Sequence, residues 1–253
     1  MSVDVSDPDL PVWLRGGVAT MHAVVAIAIA FLSGIVLAVL GQDLLVTAGL
    51  FAAETPVANA VTTAFQYVGF GLAMALYLTS IERRWLVVGR VRLPTRREFL
   101  VVAGGLVALF GISLGLSALL AALGVEVAQN RVVQQGTEAP LQFLYMIPVT
   151  VLFVAPGEEL VYRGVVQGLY REAFGPTVAI GVASLLFGVS HWLALVGVGG
   201  TGKLVYVLIA AVLGVGLGLT YEWTGNLVVP IAVHGLYNAL RFLLGYATAT
   251  GLF

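Results

Sequence analysis

Glu158 and Glu159 lie side by side in a stretch, Leu141 to Leu169, whose only other charged side chain is Arg163. Inserting a single carboxylate at the centre of a bilayer costs roughly 2.5–3.5 kcal/mol on insertion scales. Two adjacent carboxylates therefore need a compensating role. On a helix Glu159 and Arg163 form an i, i+4 pair with the acid N-terminal, the favourable order, and neutralise one another. Glu158 points about 100° away and has no partner within its own helix beyond contact with Tyr162. That leaves it able to take and return a proton, as a general base must. Two further polar sets lie in later apolar stretches: Phe187-Gly188-Val189-Ser190-His191 and His234-Gly235-Leu236-Tyr237-Asn238. His234 and Asn238 are again i, i+4, and two polar groups on one face in lipid must meet a protein interior. The remaining histidine, His22, has no such company and reads as interfacial or structural.

A glutamate base, two imidazoles and an amide can hydrolyse a peptide bond. Glu158 would deprotonate a water that the imidazoles orient, and His234 with Asn238 would donate hydrogen bonds to the developing oxyanion. Glu158, His191 and His234 also form a plausible zinc set. No HExxH motif is present, and no spacing puts two histidines on one turn. Cysteine is absent from the chain, which excludes thiolate metal sites and cysteine nucleophiles.

The elements that must position these groups are membrane spans. Of 253 residues, 60% are hydrophobic and 10% charged, against about 25% charged in a soluble domain. The reading is an all-α, polytopic transmembrane helix bundle of about seven to eight spans. Runs long enough to cross a bilayer fall near 18–40, 57–80, 99–123, 141–165, 178–196, 204–221 and 227–246, and an eighth helix would be short or re-entrant. The 82–98 loop holds six of the eleven arginines and is cytoplasmic by the positive-inside rule. Alternation then puts the N-terminus inside, the 124–140 loop outside, and Glu158 about two thirds of the way across the fourth span. Three acids against Arg15 in residues 1–17 argue against a cleaved leader and for a cytoplasmic segment. Residues 18–140 read as a transmembrane scaffold and 141–253 as the catalytic part, because the first three spans carry almost no polar groups. The thirty-one glycines read as close helix packing. A net charge of −1 gives no sign of nucleic-acid binding.

Glu-Glu-x-x-x-Arg at 158–163, Phe-x-x-x-His at 187–191 and His-x-x-x-Asn at 234–238 resemble, in that order, the three motifs of the CPBP (Abi) family. This family comprises type II CAAX prenyl endopeptidases and bacteriocin-processing or bacteriocin-immunity proteins. Gly164, the Thr224-Gly225-Asn226 turn and Pro230 agree with the pattern, and the likeness covers about residues 141–245. It implies an intramembrane endopeptidase with its site in a cavity open toward the cytoplasm. Glu158 would activate water with His191 assisting, His234 and Asn238 would form the oxyanion hole, and Glu159, Arg163 and Phe187 would support them. The implied partners are membrane lipid and a peptide or lipidated protein substrate, with zinc either absent or bound by Glu158, His191 and His234.

Three other readings compete. A rhomboid-like serine protease would use Ser190 with His234, but His191 stands where that family keeps glycine and the glutamates go unexplained. A proton-coupled transporter would show inverted repeats in both halves, whereas the polar groups here sit in one. A non-catalytic immunity protein would keep the same residues for binding.

Overall fold

The computed structural model describes residues 9–197 and 199–252; Asp4 and Asp7 of the acidic N-terminal segment lie outside them. Among the described residues seven helices are long and apolar enough to cross a membrane: α1 (Val12–Thr47), α2 (Pro56–Ser80), α3 (Arg96–Ala122), α5 (Leu141–Phe174), α6 (Pro176–Ser190, continued by one 3-10 turn to Ala194), α7 (Gly200–Thr224) and α8 (Val228–Ala249). An eighth, α4 (Arg131–Glu138), is short and lies in the loop before α5. The chain is thus an all-α integral membrane bundle.

Local sequence sets the boundaries. Thr55 caps α2 ahead of Pro56, and proline is pre-organised for the first helical position. Thr95 and Glu98 form a capping box at α3, with Arg92 gripping the Glu98 carboxylate through two contacts of 2.7 and 2.5 Å. The sharp reversal from α5 to α6 turns on Gly175 at φ +83°, and α7 stops at Gly225 in the left-handed region. That conformation costs a side-chain-bearing residue stability and glycine almost nothing.

Packing is by small residues, as expected where lipid supplies no hydrophobic drive between helices. Ala19, Ala23, Ala26 and Ala30 form a fully buried stripe on α1. Ser33 Oγ donates to the Gly69 carbonyl at 3.1 Å where α1 meets α2. One buried cluster joins α1 and α2 to α5 and α6 through Ala26, Phe70, Met74, Val161, Tyr162 and Phe187. A second joins α3 to α7 and α8 through Val102, Leu109, Leu217 and Val233.

The helix carrying the glutamates is not regular. Two wide π-type segments, Thr150–Val154 and Leu160–Gln167, flank a short α-helical piece at Ala155–Glu159. Pro148 and Pro156 lack the N–H a regular ladder requires, and wide turns of this kind often sit at functional sites. At the far end of α6 a two-residue ladder pairs Gln129 with Val196 and Asn130 with Leu195, antiparallel.

The expected spans match in number and order. The fourth is longer than expected, reaching Phe174, so Glu158 lies near the helix midpoint rather than two thirds along it.

Candidate active site

Glu159 is fully buried and held from two sides. Its Oε2 lies 3.0 Å from Arg163 Nε within α5, the i, i+4 pair legible in the sequence. Its Oε1 accepts from His234 Nδ1 of α8 at 2.8 Å, a contact the sequence did not announce. Because a carboxylate only accepts, this hydrogen bond fixes a proton on His234 Nδ1 and turns Nε2 toward the site. There Nε2 stands 3.7 Å from Glu158 Oε2. The Arg163 guanidinium is also fully buried, and its carbon lies 5.0 Å above the Phe187 ring.

Glu158 is not left alone. Tyr67 of α2 donates its hydroxyl to Glu158 Oε1 at 2.5 Å. With Oε1 engaged and Oε2 facing His234, the two carboxylate oxygens have different surroundings. The partner comes from the scaffold half, so the division into inert and functional halves does not hold at this contact. A tyrosine in a span looks like ordinary core; the one sequence cue is that Asn59, Thr63 and Tyr67 recur every four residues on α2 as a polar file.

Phe187 is the hub of the centre. Its ring meets Tyr162 at 5.2 Å, His191 at 4.7 Å and His234 at 5.8 Å between centroids, all edge-on. Edge-on contacts within this range are the favoured aromatic arrangement. The Phe187 carbonyl accepts from His191 Nδ1 at 2.7 Å, which leaves Nε2 of that imidazole as an acceptor. His191 is the first residue past the end of α6 and is half-buried. Asn238, also half-buried, donates from Nδ2 to Thr150 Oγ1 at 3.2 Å; its second amide N–H remains available.

The remaining candidates fall elsewhere. Ser190 donates to the Phe187 carbonyl at 2.7 Å and makes no contact with His234, so the serine-protease arrangement is not formed. His22 pairs with Tyr77 at 2.5 Å between α1 and α2, a structural contact. Among the described residues no three His, Cys, Asp or Glu side chains converge as a metal-binding group.

Fold and site together define a polytopic membrane protein with a buried carboxylate–imidazole centre assembled from four helices. Residues 140–240 match the family model of the Rce1-like type II CAAX prenyl endopeptidases, which bears out the resemblance read from the three motifs. The chain is also 34% identical over 89 residues to the uncharacterized protein YpbD of Bacillus subtilis (strain 168). The aligned segment covers 35% of this chain and 40% of that protein's length. No solved structure matches.

Proposed function

We propose that the chain is an intramembrane endopeptidase that hydrolyses a peptide bond in a membrane-associated substrate, with Glu158 as general base. The observation that carries this reading is the unequal treatment of the two glutamates. Glu159 is consumed by Arg163 and His234, whereas Glu158 keeps Oε2 facing His234 Nε2 across 3.7 Å. A water at Oε2 gives up a proton to Glu158, and the hydroxide adds to the scissile carbonyl carbon. His191, whose Nε2 is an acceptor, orients that water. The oxyanion receives the free N–H of Asn238 and a hydrogen bond from His234 Nε2, the ring nitrogen that Glu159 leaves facing the site. Glu158 then returns its proton to the leaving amine as the C–N bond breaks.

No step is routed through a metal. A prenylated, CAAX-type substrate is the form the family description favours, and a lipid chain has apolar helix surface on every side of the bundle. General base catalysis contributes about 10²–10⁴ in rate. Purified Glu158→Gln protein should therefore lose cleavage of membrane-anchored peptides by at least that factor, while eluting from size exclusion like the parent. Full activity in that variant would overturn the proposal. Stoichiometric zinc in the purified protein, lost together with activity in His191→Ala, would overturn its metal-free form.

A further inference from the structure

We infer that Arg241 of α8 selects the substrate, its guanidinium docking a carboxylate of the peptide one to three residues from the scissile bond. This role rests on the endopeptidase reading above and names how that site chooses what it cuts. Arg241 lies one residue past the end of the family match at 240, so none of the three motifs assigns it a task.

The first observation is a charge without a counter-charge. Among the described residues, Arg163 and Arg241 are the arginines or lysines that lie more than two turns from either end of a span. Arg163 is paired with Glu159. No described carboxylate pairs with Arg241; its Nη1 donates to the Ser113 hydroxyl of α3 at 3.5 Å. A charged side chain at such depth is costly, and its place in a span marks a functional contact by default. A guanidinium held only by a neutral hydroxyl has room for an anion.

The second is position. His234, Asn238 and Arg241 follow one another at i, i+4 and i+7, which at about 100° per residue keeps all three within an arc of about 60° on α8. Exposure rises along this file, from buried His234 through half-buried Asn238 to exposed Arg241. Tyr206 of α7 stands 6.1 Å from the His191 ring between centroids. The same tyrosine lies within electrostatic reach of Glu158, Tyr237 and Arg241 together. Arg241 therefore shares one polar compartment with the general base and with the imidazole that orients its water.

The third is reach. Arg241 sits about 4.5 Å further along the helix axis than Asn238, and its long side chain adds to that distance. An extended peptide advances about 3.3 Å per residue. A scissile carbonyl at Asn238 thus brings a carboxylate one to three residues away against the guanidinium. Arginine offers a carboxylate two parallel N–H bonds, a fork that lysine lacks. A lipid phosphate fits the same fork, but α8 continues eight residues beyond Arg241 to Ala249, about 12 Å at 1.5 Å per residue. The fork stands on the face of the site, away from the headgroup level.

Two fluorescent, prenylated peptides that differ only at the last residue, one a free acid and one a carboxamide, test the assignment. The parent should cleave the acid with the lower KM. Arg241→Gln should raise that KM about tenfold or more, the scale of a hydrogen bond to a charged group, with kcat and the kinetics of the amide little changed. Arg241→Lys, which keeps the charge without the fork, should recover part of the loss. An amidated peptide with a penultimate glutamate separates the sources. A low KM there that needs Arg241 extends the contact to side-chain carboxylates, and a high KM confines it to the chain terminus. Binding of the acid and amide peptides to Glu158→Gln protein, read by fluorescence anisotropy, requires no turnover. The acid should bind about tenfold more tightly, and adding Arg241→Gln should abolish the difference. Equal affinity for acid and amide, or an equal loss for both in Arg241→Gln, overturns the inference. A loss shared by both peptides that appears only in vesicles containing anionic lipid does so as well, and makes Arg241 a headgroup contact. Failure of the endopeptidase reading is seen separately, as undiminished cleavage by Glu158→Gln protein.

Discussion

His234 is a residue whose environment explains its role. Glu159 holds its Nδ1, Glu158 faces its Nε2, and the edge of Phe187 limits its rotation. This arrangement depends on Arg163, since removing one partner of a buried pair leaves an uncompensated charge, at about 3–5 kcal/mol. Arg163→Met should thus destabilise the protein by that order, read as lost thermal stability in detergent, and Glu159→Gln in the same chain should restore much of it. Tyr67 acts through Glu158 instead. By holding Oε1 it keeps Oε2 aimed at the site, and misplacing a reacting group by about 1 Å can cost about 10²-fold in rate, so Tyr67→Phe should lower kcat about tenfold or more with KM little changed and a disproportionately small fall in melting temperature. An equal loss in melting temperature would make Tyr67 merely structural. Glu158, Glu159, His191, His234 and Asn238 were legible because charge and imidazole are conspicuous in a run of leucine and valine. Tyr67 was not, because a tyrosine there has the same hydropathy whether it packs or donates a hydrogen bond. Nor could the sequence show that Glu159, the structural partner of Arg163, also holds His234.

At the scale of elements, number, order and approximate bounds of the spans follow from hydropathy, since a bilayer fixes helix length. What hydropathy could not show is the widening of α5 on either side of the glutamates, because π-type turns depend on where neighbours let the ladder stretch around Pro148 and Pro156. The contact between α6 and α7 is equally specific. A Cβ on Gly188 would fall against the Val207 carbonyl and within 2.9 Å of the Ala211 methyl, whereas one on Gly111 of α3 meets nothing. Gly188→Ala must therefore push α6 from α7 and displace Phe187 and His191, at about 1–3 kcal/mol for overpacking. Gly111→Ala should be neutral or stabilise by up to about 1 kcal/mol through helix propensity. Thermal unfolding of the two variants in one detergent checks the contrast, and matching melting temperatures would refute the close approach.

For the whole molecule, the family match begins at residue 140, yet neither buried cluster is complete from there on. Phe70 and Met74 of α2 and the alanine stripe of α1 pack against Val161, Tyr162 and Leu169 of α5. Val102 and Leu109 of α3 pack against Leu217 of α7 and Val233 of α8. Because association within a bilayer rests on such packing, the later helices alone lack the surfaces that hold α5 and α8 together, and Glu158 also lacks Tyr67. The loop at Gly124, exposed and with open space around it, allows the chain to be divided without cutting a span. Residues 125–253 expressed alone should insert into membranes but have no activity and be degraded readily by protease. Co-expression with residues 1–124 should restore a stable complex that elutes with the intact chain and recovers cleavage. Full activity in the 125–253 fragment would show that α1–α3 are dispensable and that the Tyr67 contact contributes nothing to catalysis.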